Sequence, residues 1–144
     1  MLAPILALSC SPIEIFTGPK LSDKDAFMHK KLIAEVLTNN PIKPGEPFKI
    51  TLIHQNSDVT VNLIQVNSLV LPHFHKYSDE HVYIMYGYGE VTVGDKTVHV
   101  NEEEYVFIPR KAVHSIRNQS QGRPIVAVSI FTPVLDPTDR IAVE

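Results

Sequence analysis

Apolar and polar residues alternate along most of the chain after residue 47, and this pattern predicts short β-strands. Residues 48–52 alternate, and residues 59–66 continue the pattern after a turn at Asn56-Ser57-Asp58. Alternation with a period of two is typical of strands that bury one face. Further short segments of this kind follow at residues 69–71, 82–86, 90–93, 96–100, 105–108, 112–117 and 125–131. Their regular spacing predicts an all-β fold, a single antiparallel barrel of roughly six to eight strands.

A helix is predicted ahead of the strands, over residues 22–38. Ser22 and Asp25 have the spacing of a capping box, and Ala26, Ile33 and Leu37 fall on one helical face. Asn39-Asn40-Pro41 should end the helix, because the residue before a proline avoids helical geometry. We therefore divide the chain into an N-terminal arm with its helix (residues 1–47), a barrel (48–132) and a C-terminal tail (133–144).

Composition narrows the class of protein. A chain of 144 residues with 44% hydrophobic residues suits one globular domain with a real core. The formal net charge is −3 and no basic run occurs, which argues against nucleic-acid binding. No apolar run reaches the roughly 18 residues of a transmembrane helix. The single cysteine, Cys10, excludes an internal disulfide.

The first ten residues allow two interpretations. They are apolar and end in Ser9-Cys10, as the end of a bacterial lipoprotein signal would, and this would place the protein in the cell envelope, anchored at Cys10. The segment is short, however, contains Pro4, and has no Lys or Arg before it. The alternative is a cytoplasmic protein whose N-terminal strand packs on the barrel or on a partner subunit.

Four residues form the strongest candidate for chemistry: His73, His75, Glu80 and His114. Imidazole and carboxylate ligands together suit first-row divalent metals. His73 and His75 are two residues apart, so both side chains point to one face of a strand. Glu80 begins the next apolar run and His114 belongs to a later one, so the four should meet on one face inside a barrel. The alternative is that the histidines are unrelated and are satisfied by hydrogen bonds in the core.

The spacing of these residues resembles the two sequence motifs of the cupin family. The first motif has two histidines one residue apart, then a glutamate and a glycine, and the second has a proline, a histidine and an asparagine. The matching residues are His73, His75, Glu80 and Gly87, then Pro109, His114 and Asn118. Asn67, Glu103 and Lys111 stand where the motifs have glycines. The resemblance covers roughly residues 48–132.

The resemblance implies a cupin barrel, the double-stranded β-helix or jelly-roll fold. It also implies that His73, His75, Glu80 and His114 hold one divalent transition metal, for which Mn, Fe, Ni, Zn, Co and Cu all remain open. Four protein ligands would leave two positions of an octahedral shell for water or a small organic molecule. Asn118 would have a structural role. A homodimer is expected, because family members often exchange terminal arms.

The candidate site and the resemblance leave two kinds of function open. One is a metal-dependent enzyme of the dioxygenase, isomerase or decarboxylase kind. The other is a non-catalytic module that binds or senses a ligand or metal. Catalysis by acid and base would need a further carboxylate near the site, and the sequence places none but Glu80 clearly inside the barrel. This slightly favours oxygen chemistry or plain binding.

The neighbours of the four residues carry secondary expectations. Val82, Ile84 and Tyr86 should share the face of Glu80, as pocket wall or, for Val82 and Ile84, as core. His81 should point to the opposite face. Arg110 and Lys111 precede His114 in a turn, where they either meet an anionic substrate at the mouth of the barrel or are simply exposed.

Overall fold

The computed structural model describes residues 33–143, which form one helix and ten strands. The elements are α1 (Ile33–Asn39), β1 (Phe48–Gln55), β2 (Thr60–Val66), β3 (Leu69–His75), β4 (Asp79–Tyr86), β5 (Gly89–Val93), β6 (Lys96–Val100), β7 (Tyr105–Ile108), β8 (His114–Asn118), β9 (Ile125–Thr132) and β10 (Arg140–Ala142). The predicted helix thus ends one residue later than expected. Its first part, Cys10 and the other residues before 33 lie outside the described range.

The strands form two five-stranded antiparallel sheets packed face to face, which confirms the predicted all-β fold. The first sheet has the order β1-β2-β9-β4-β7 and the second β10-β3-β8-β5-β6. The expected number of strands was too low, since nine lie within residues 48–132 alone. Each of the nine alternating segments named from the sequence overlaps one of these strands, and Gly94 and Asp95 join β5 and β6 in a tight hairpin. No helix in the described range is long and apolar enough to cross a membrane.

The core lies between the sheets and is built from the inward positions of both. Val82 and Ile84 on β4 have no exposed surface, and they pack with Val91 on β5 and Ile116 on β8. The prediction of Val82 and Ile84 as core is therefore confirmed. Burying a side chain of this size contributes about 1.5–3 kcal/mol.

Tyr86 does not share the face of Glu80, so that prediction was wrong. The pairing of β4 with β9 shifts register between Ile84 and Tyr86, and the Tyr86 side chain is 50% exposed. A bulge of this kind turns the following side chain away from its expected face.

The helix and its linker are tied to β2 by side-chain amides. Gln65 donates to the Asn40 carbonyl at 2.8 Å and accepts from the Ile42 amide at 3.2 Å. Asn67 donates to the Lys43 carbonyl at 3.1 Å and to the Glu46 carbonyl at 2.9 Å. Asn67 therefore anchors the linker from the position where the cupin motif has a glycine.

The segment expected as a C-terminal tail contributes an edge strand. β10 pairs antiparallel with β3, with Arg140 opposite His75 and Ala142 opposite His73. The segment is held at both ends, because the Leu135 amide donates to Thr60 Oγ1 at 3.0 Å and the Val143 amide to the Pro72 carbonyl at 3.1 Å. It thus crosses from the first sheet to the second beside the histidines of β3.

Two turns keep a left-handed backbone without glycine. Glu103 and Lys111 both have φ of 68°, and these are the two positions where the second cupin motif has glycines. The Lys111 amide donates to the His75 carbonyl at 2.6 Å. The glycine replacements therefore leave the turns in place, and one turn contacts the backbone of a candidate ligand.

Candidate metal centre

The three histidines of the motifs come together in the second sheet. His73 and His75 lie on β3 and His114 on the adjacent β8, where His73 and His114 are paired directly. Their ring centroids are 4.2 Å apart for His73 and His114, 5.2 Å for His73 and His75, and 5.4 Å for His75 and His114. One nitrogen from each ring lies within 4.8 Å of the others, and all three residues are buried. They are thus placed to hold one metal ion.

The Nδ1 atom of each imidazole faces a polar group of the protein. The Nδ1 atom of His73 lies 2.8 Å from the Leu71 carbonyl oxygen, and that of His114 lies 3.0 Å from the Ala112 carbonyl oxygen. A carbonyl can only accept, so both Nδ1 atoms carry a proton, and Nε2 is the ring atom that a neutral imidazole offers to a ligand. This is the arrangement in which metal-binding histidines are held by a second hydrogen bond.

Glu80 reaches the histidines from the opposite sheet. Its Oε2 lies 3.1 Å from His114 Nε2 and 3.6 Å from His75 Nε2, while its Oε1 accepts a hydrogen bond from the Ser129 hydroxyl. The Glu80 carboxylate therefore lies beside the histidine cluster, and the four side chains come from three strands in two sheets. β4 pairs with β7 and β9 and not with β3, so Glu80 approaches the histidines from the facing sheet.

Burial and charge keep the site in the protonation state that binds metals. Burial, followed by the neighbouring His114, lowers the pKa of His73 to about 4. Burial also lowers the pKa of His75, although Glu80 and Asp139 oppose that shift. For Glu80, burial alone would raise the pKa, but contacts with His114 and Ser129 outweigh it and lower the pKa. Near neutral pH these shifts keep His73 and His75 neutral and Glu80 ionised.

Asp139 is the residue of the site that the sequence did not indicate. It has no exposed surface, and its Oδ2 lies 3.3 Å from His75 Nδ1. Its Oδ1 accepts a hydrogen bond from the Tyr77 amide. The expectation of no inward carboxylate besides Glu80 was therefore wrong. The sequence offered only a weak signal for Asp139. This residue lies between a turn, in which the Asp136 side chain accepts hydrogen bonds from Thr138, and the short apolar run after Arg140.

The donor set fits a first-row divalent ion. His114 Nε2 is buried and has no hydrogen-bond partner, although a carboxylate oxygen lies close to it. Such an orphaned nitrogen is costly in a protein interior unless something binds it. Three imidazole nitrogens with one adjacent carboxylate match the ligand preferences of Mn, Fe, Co, Ni, Cu and Zn.

A pocket with a cavity volume of ≈ 50 Å³ leads from the surface to the histidines. Its wall is mostly apolar, and Asn62 and Arg140 are the lining residues with polar side chains outside the His–Glu cluster. The apolar lining residues are Phe48, Ile50, Ile64, Val70, Ile116, Phe131 and Leu135. A mostly apolar lining with a few polar groups is typical of a site for a small organic molecule.

Three other residues named from the sequence lie away from the centre. His81 points to the opposite face of β4, as expected, where its Nδ1 lies 2.7 Å from the Tyr105 hydroxyl oxygen. Arg110 is exposed and donates two side-chain hydrogen bonds to Asp79, which lower the pKa of Asp79 to about 2. Arg110 is therefore paired with Asp79 and does not line the pocket. Lys111 occupies the turn before β8, with its left-handed backbone.

Asn118 has the structural role implied by the motif. Its side-chain amide donates to the carbonyl oxygens of Val66, Asn67 and Arg123 at 2.8–3.0 Å. It thus closes the turn that follows β8 and joins it to the end of β2.

Comparison with known proteins places these features in a family. The model of the cupin domain family matches residues 62–131, a span that includes the three histidines and Glu80. An uncharacterized protein from Aquifex aeolicus strain VF5 is 27% identical over 99 residues, which cover 69% of this chain and 80% of that protein.

Solved structures share the fold. The TT1209 protein from Thermus thermophilus has a TM-score of 0.64 at 23% identity, over 74% of this chain and 99% of that one. An uncharacterized protein with a double-stranded β-helix domain from Klebsiella pneumoniae gives 0.64 at 15%, over 75% and 94%. Pac13 from Streptomyces, described as a nucleoside dehydratase, gives 0.59 at 17%, over 68% and 79%. At such low identities the likeness is one of fold alone.

Proposed function

This chain belongs to the cupin superfamily, and we propose that it holds one divalent transition metal at His73, His75, His114 and Glu80 and binds a small organic molecule beside it. The observation that carries the proposal is the orientation of the three imidazoles. In each ring the Nδ1 atom lies 2.8–3.3 Å from a carbonyl or carboxylate oxygen of the protein, and the Nε2 atom is left for the centre. A core that needed only satisfied histidines would not leave the His114 Nε2 atom unpartnered.

The chain's own residues would prepare the site for chemistry. A bound ion would act there as a Lewis acid or an electron-transfer centre for a molecule in the pocket. Ser129 holds the Glu80 carboxylate in place, and Asp139 orients the His75 ring. The apolar walls exclude bulk water from the inner end of the pocket, which strengthens electrostatic interactions there.

Asp139 supports the metal proposal, since buried carboxylates behind ligating histidines raise the basicity of the imidazole. The reaction class we propose is one of those implied by the family: dioxygenation, isomerisation or decarboxylation. A non-catalytic module for ligand or metal sensing is the alternative. The two differ in turnover of the bound molecule by the metal-loaded protein.

The metal proposal is tested by elemental analysis of protein purified without added metal. We expect close to one equivalent of a first-row metal in the wild type and very little in His75→Ala. His81→Ala is the matched control, because this side chain lies on the face of β4 that points away from the site, and it should retain the metal. Equal metal content in the wild type and in a His73→Ala/His114→Ala double variant would rule out the site.

We also propose a homodimer. Apolar side chains remain exposed on the outer face of the first sheet: Tyr83 is 43% exposed, Tyr105 57% and Phe107 48%. Contiguous exposed apolar residues of this kind commonly mark an interface. A molar mass of one chain in light scattering at micromolar concentration would contradict the dimer.

A further inference from the structure

We propose that Arg140 is the anchor for an acidic group on the ligand, so that the pocket selects small organic anions, carboxylates in particular. The inference rests on the proposed metal site and adds the chemical class of its ligand. It starts from the strand pairing: Arg140 on β10 is directly opposite His75 on β3. Residues opposite each other in an antiparallel pair project from the same face of the sheet. The Arg140 side chain therefore enters the same space as the His75 ring.

The lining of the pocket agrees with this orientation of the Arg140 side chain. Arg140 lines it together with the three histidines and Glu80. The positive charge of Arg140 contributes to the lowered pKa of His73, and the charge of Glu80 is felt at Arg140. Burial of part of the side chain is the main cause that lowers the pKa of Arg140. The guanidinium is thus close enough to act electrostatically on the centre, while Arg140 as a whole stays exposed and open to a ligand.

The N–H donors of the Arg140 guanidinium are available to a ligand. Within residues 33–143 it makes no hydrogen bond and no ion pair, whereas Arg110 and Arg123 are each paired with a carboxylate. Its neighbour is the Phe48 ring, whose centroid lies 5.8 Å from Arg140 Cζ. Stacking on an aromatic face holds a guanidinium in place and leaves its edge free to bind a carboxylate through two hydrogen bonds.

The charges and the polar lining of the pocket point to the same ligand class. A divalent ion and Arg140 carry three positive charges, and Glu80 and Asp139 carry two negative ones, so the pocket keeps one net positive charge. Asn62 is 5% exposed and lines the pocket, and its carboxamide bonds to no described residue. A ligand would thus meet the metal at the inner end, apolar walls beside it, and Asn62 and Arg140 as polar contacts.

The test separates the anion anchor from the metal. Two probes share a hydroxamate head that binds metals: succinic monohydroxamate, which carries a carboxylate tail, and butyrohydroxamate, which ends in a methyl group. Binding of each to zinc-loaded protein is measured by titration calorimetry. We expect the carboxylate probe to bind about tenfold more tightly to the wild type, the size of effect expected for a hydrogen-bonded charged pair.

The variants assign that preference to one side chain. Arg140→Gln should lose the preference and bind both probes equally, and Arg140→Lys should keep part of it, because it retains the charge but not the two-pronged geometry. Arg117→Gln is the control: it removes the same charge from the exposed face of β8, in the same sheet. It should keep the full preference. Thermal unfolding and zinc content of each variant show whether the fold and the centre are intact.

Each remaining outcome has a distinct meaning. Equal binding of the two probes by the wild type, or a preference that persists in Arg140→Gln, would overturn the assignment of Arg140 while leaving the metal site standing. An equal loss of both probes in Arg140→Gln would show that the residue only supports the structure. If neither zinc nor butyrohydroxamate bound to the wild type, the proposed metal site would fail, and this inference with it.

Discussion

The contact of Asp139 with His75 acts on a bound ion only through the imidazole ring. The carboxylate lies on the Nδ1 side, away from the atoms that face Glu80. It can therefore fix the tautomer and orientation of His75 but does not reach the ligand itself. Asp139 is in this sense a positioning residue, and the strength of metal binding reports its effect.

We predict that Asp139→Asn weakens metal binding about 10- to 100-fold, the usual cost of losing a carboxylate behind a ligating histidine. The amide keeps the size of the side chain and can still accept the Tyr77 hydrogen bond. Competition with a chromophoric chelator measures the affinity. Asp58→Asn, in the exposed turn between β1 and β2, is the control and should leave the affinity unchanged. An Asp139→Asn variant with wild-type affinity would contradict this role.

The candidate site contains residues that the sequence alone could predict and residues that it could not. His73, His75, Glu80 and His114 were identifiable because regular strands convert a spacing of two into a shared face, and the motif spacings add specificity. Asp139 and Arg140 have no such spacing to the motifs. They reach the pocket only because β10 pairs with β3, and the pairing of strands distant in sequence is decided by the whole fold.

At the scale of elements, the turns before β7 and β8 show that backbone geometry can persist when its usual residue is absent. Glu103 and Lys111 have φ of 68°, a region that costs a residue with a side chain roughly 1–2 kcal/mol. The cost is offset by the strands that the turns join. The bulge at Tyr86 is a second departure that alternation could not predict, because an inserted residue is invisible in a periodic pattern.

We predict that Lys111→Gly stabilises the protein by about 0.5–1 kcal/mol. Glycine relieves the left-handed strain, and its greater freedom in the unfolded chain cancels part of that gain. The free energy of unfolding in urea measures the effect. Lys96→Gly, in strand β6 and without a positive φ, is the control and should lose about 1 kcal/mol. If both changes destabilised the protein equally, Lys111 would not be strained.

At the scale of the whole molecule, the site joins the two sheets. Three of the proposed ligands lie on the second sheet and Glu80 on the first, and the C-terminal segment spans from Thr60 to β3 beside them. A metal that prefers this folded arrangement should raise the free energy of unfolding by mass action. The polar groups of the site therefore bear on stability as well as on binding, and their protonation should be visible in the unfolding of the whole chain.

We predict that metal-free protein loses stability as the pH falls from 7 to 5. The folded pKa of His73, about 4, lies below the unfolded value of 6.5, so the unfolded chain takes up the proton first. The stabilisation is complete only above the unfolded pKa and is lost as the pH drops towards the folded one. For His73 alone the loss between pH 7 and pH 5 is about 2 kcal/mol. The lowered pKa of His75 acts in the same direction. Urea unfolding of chelator-treated protein at the two pH values measures the loss, and His73→Gln should show a smaller one. Equal stability at both pH values would mean that these histidines are not held neutral by the fold.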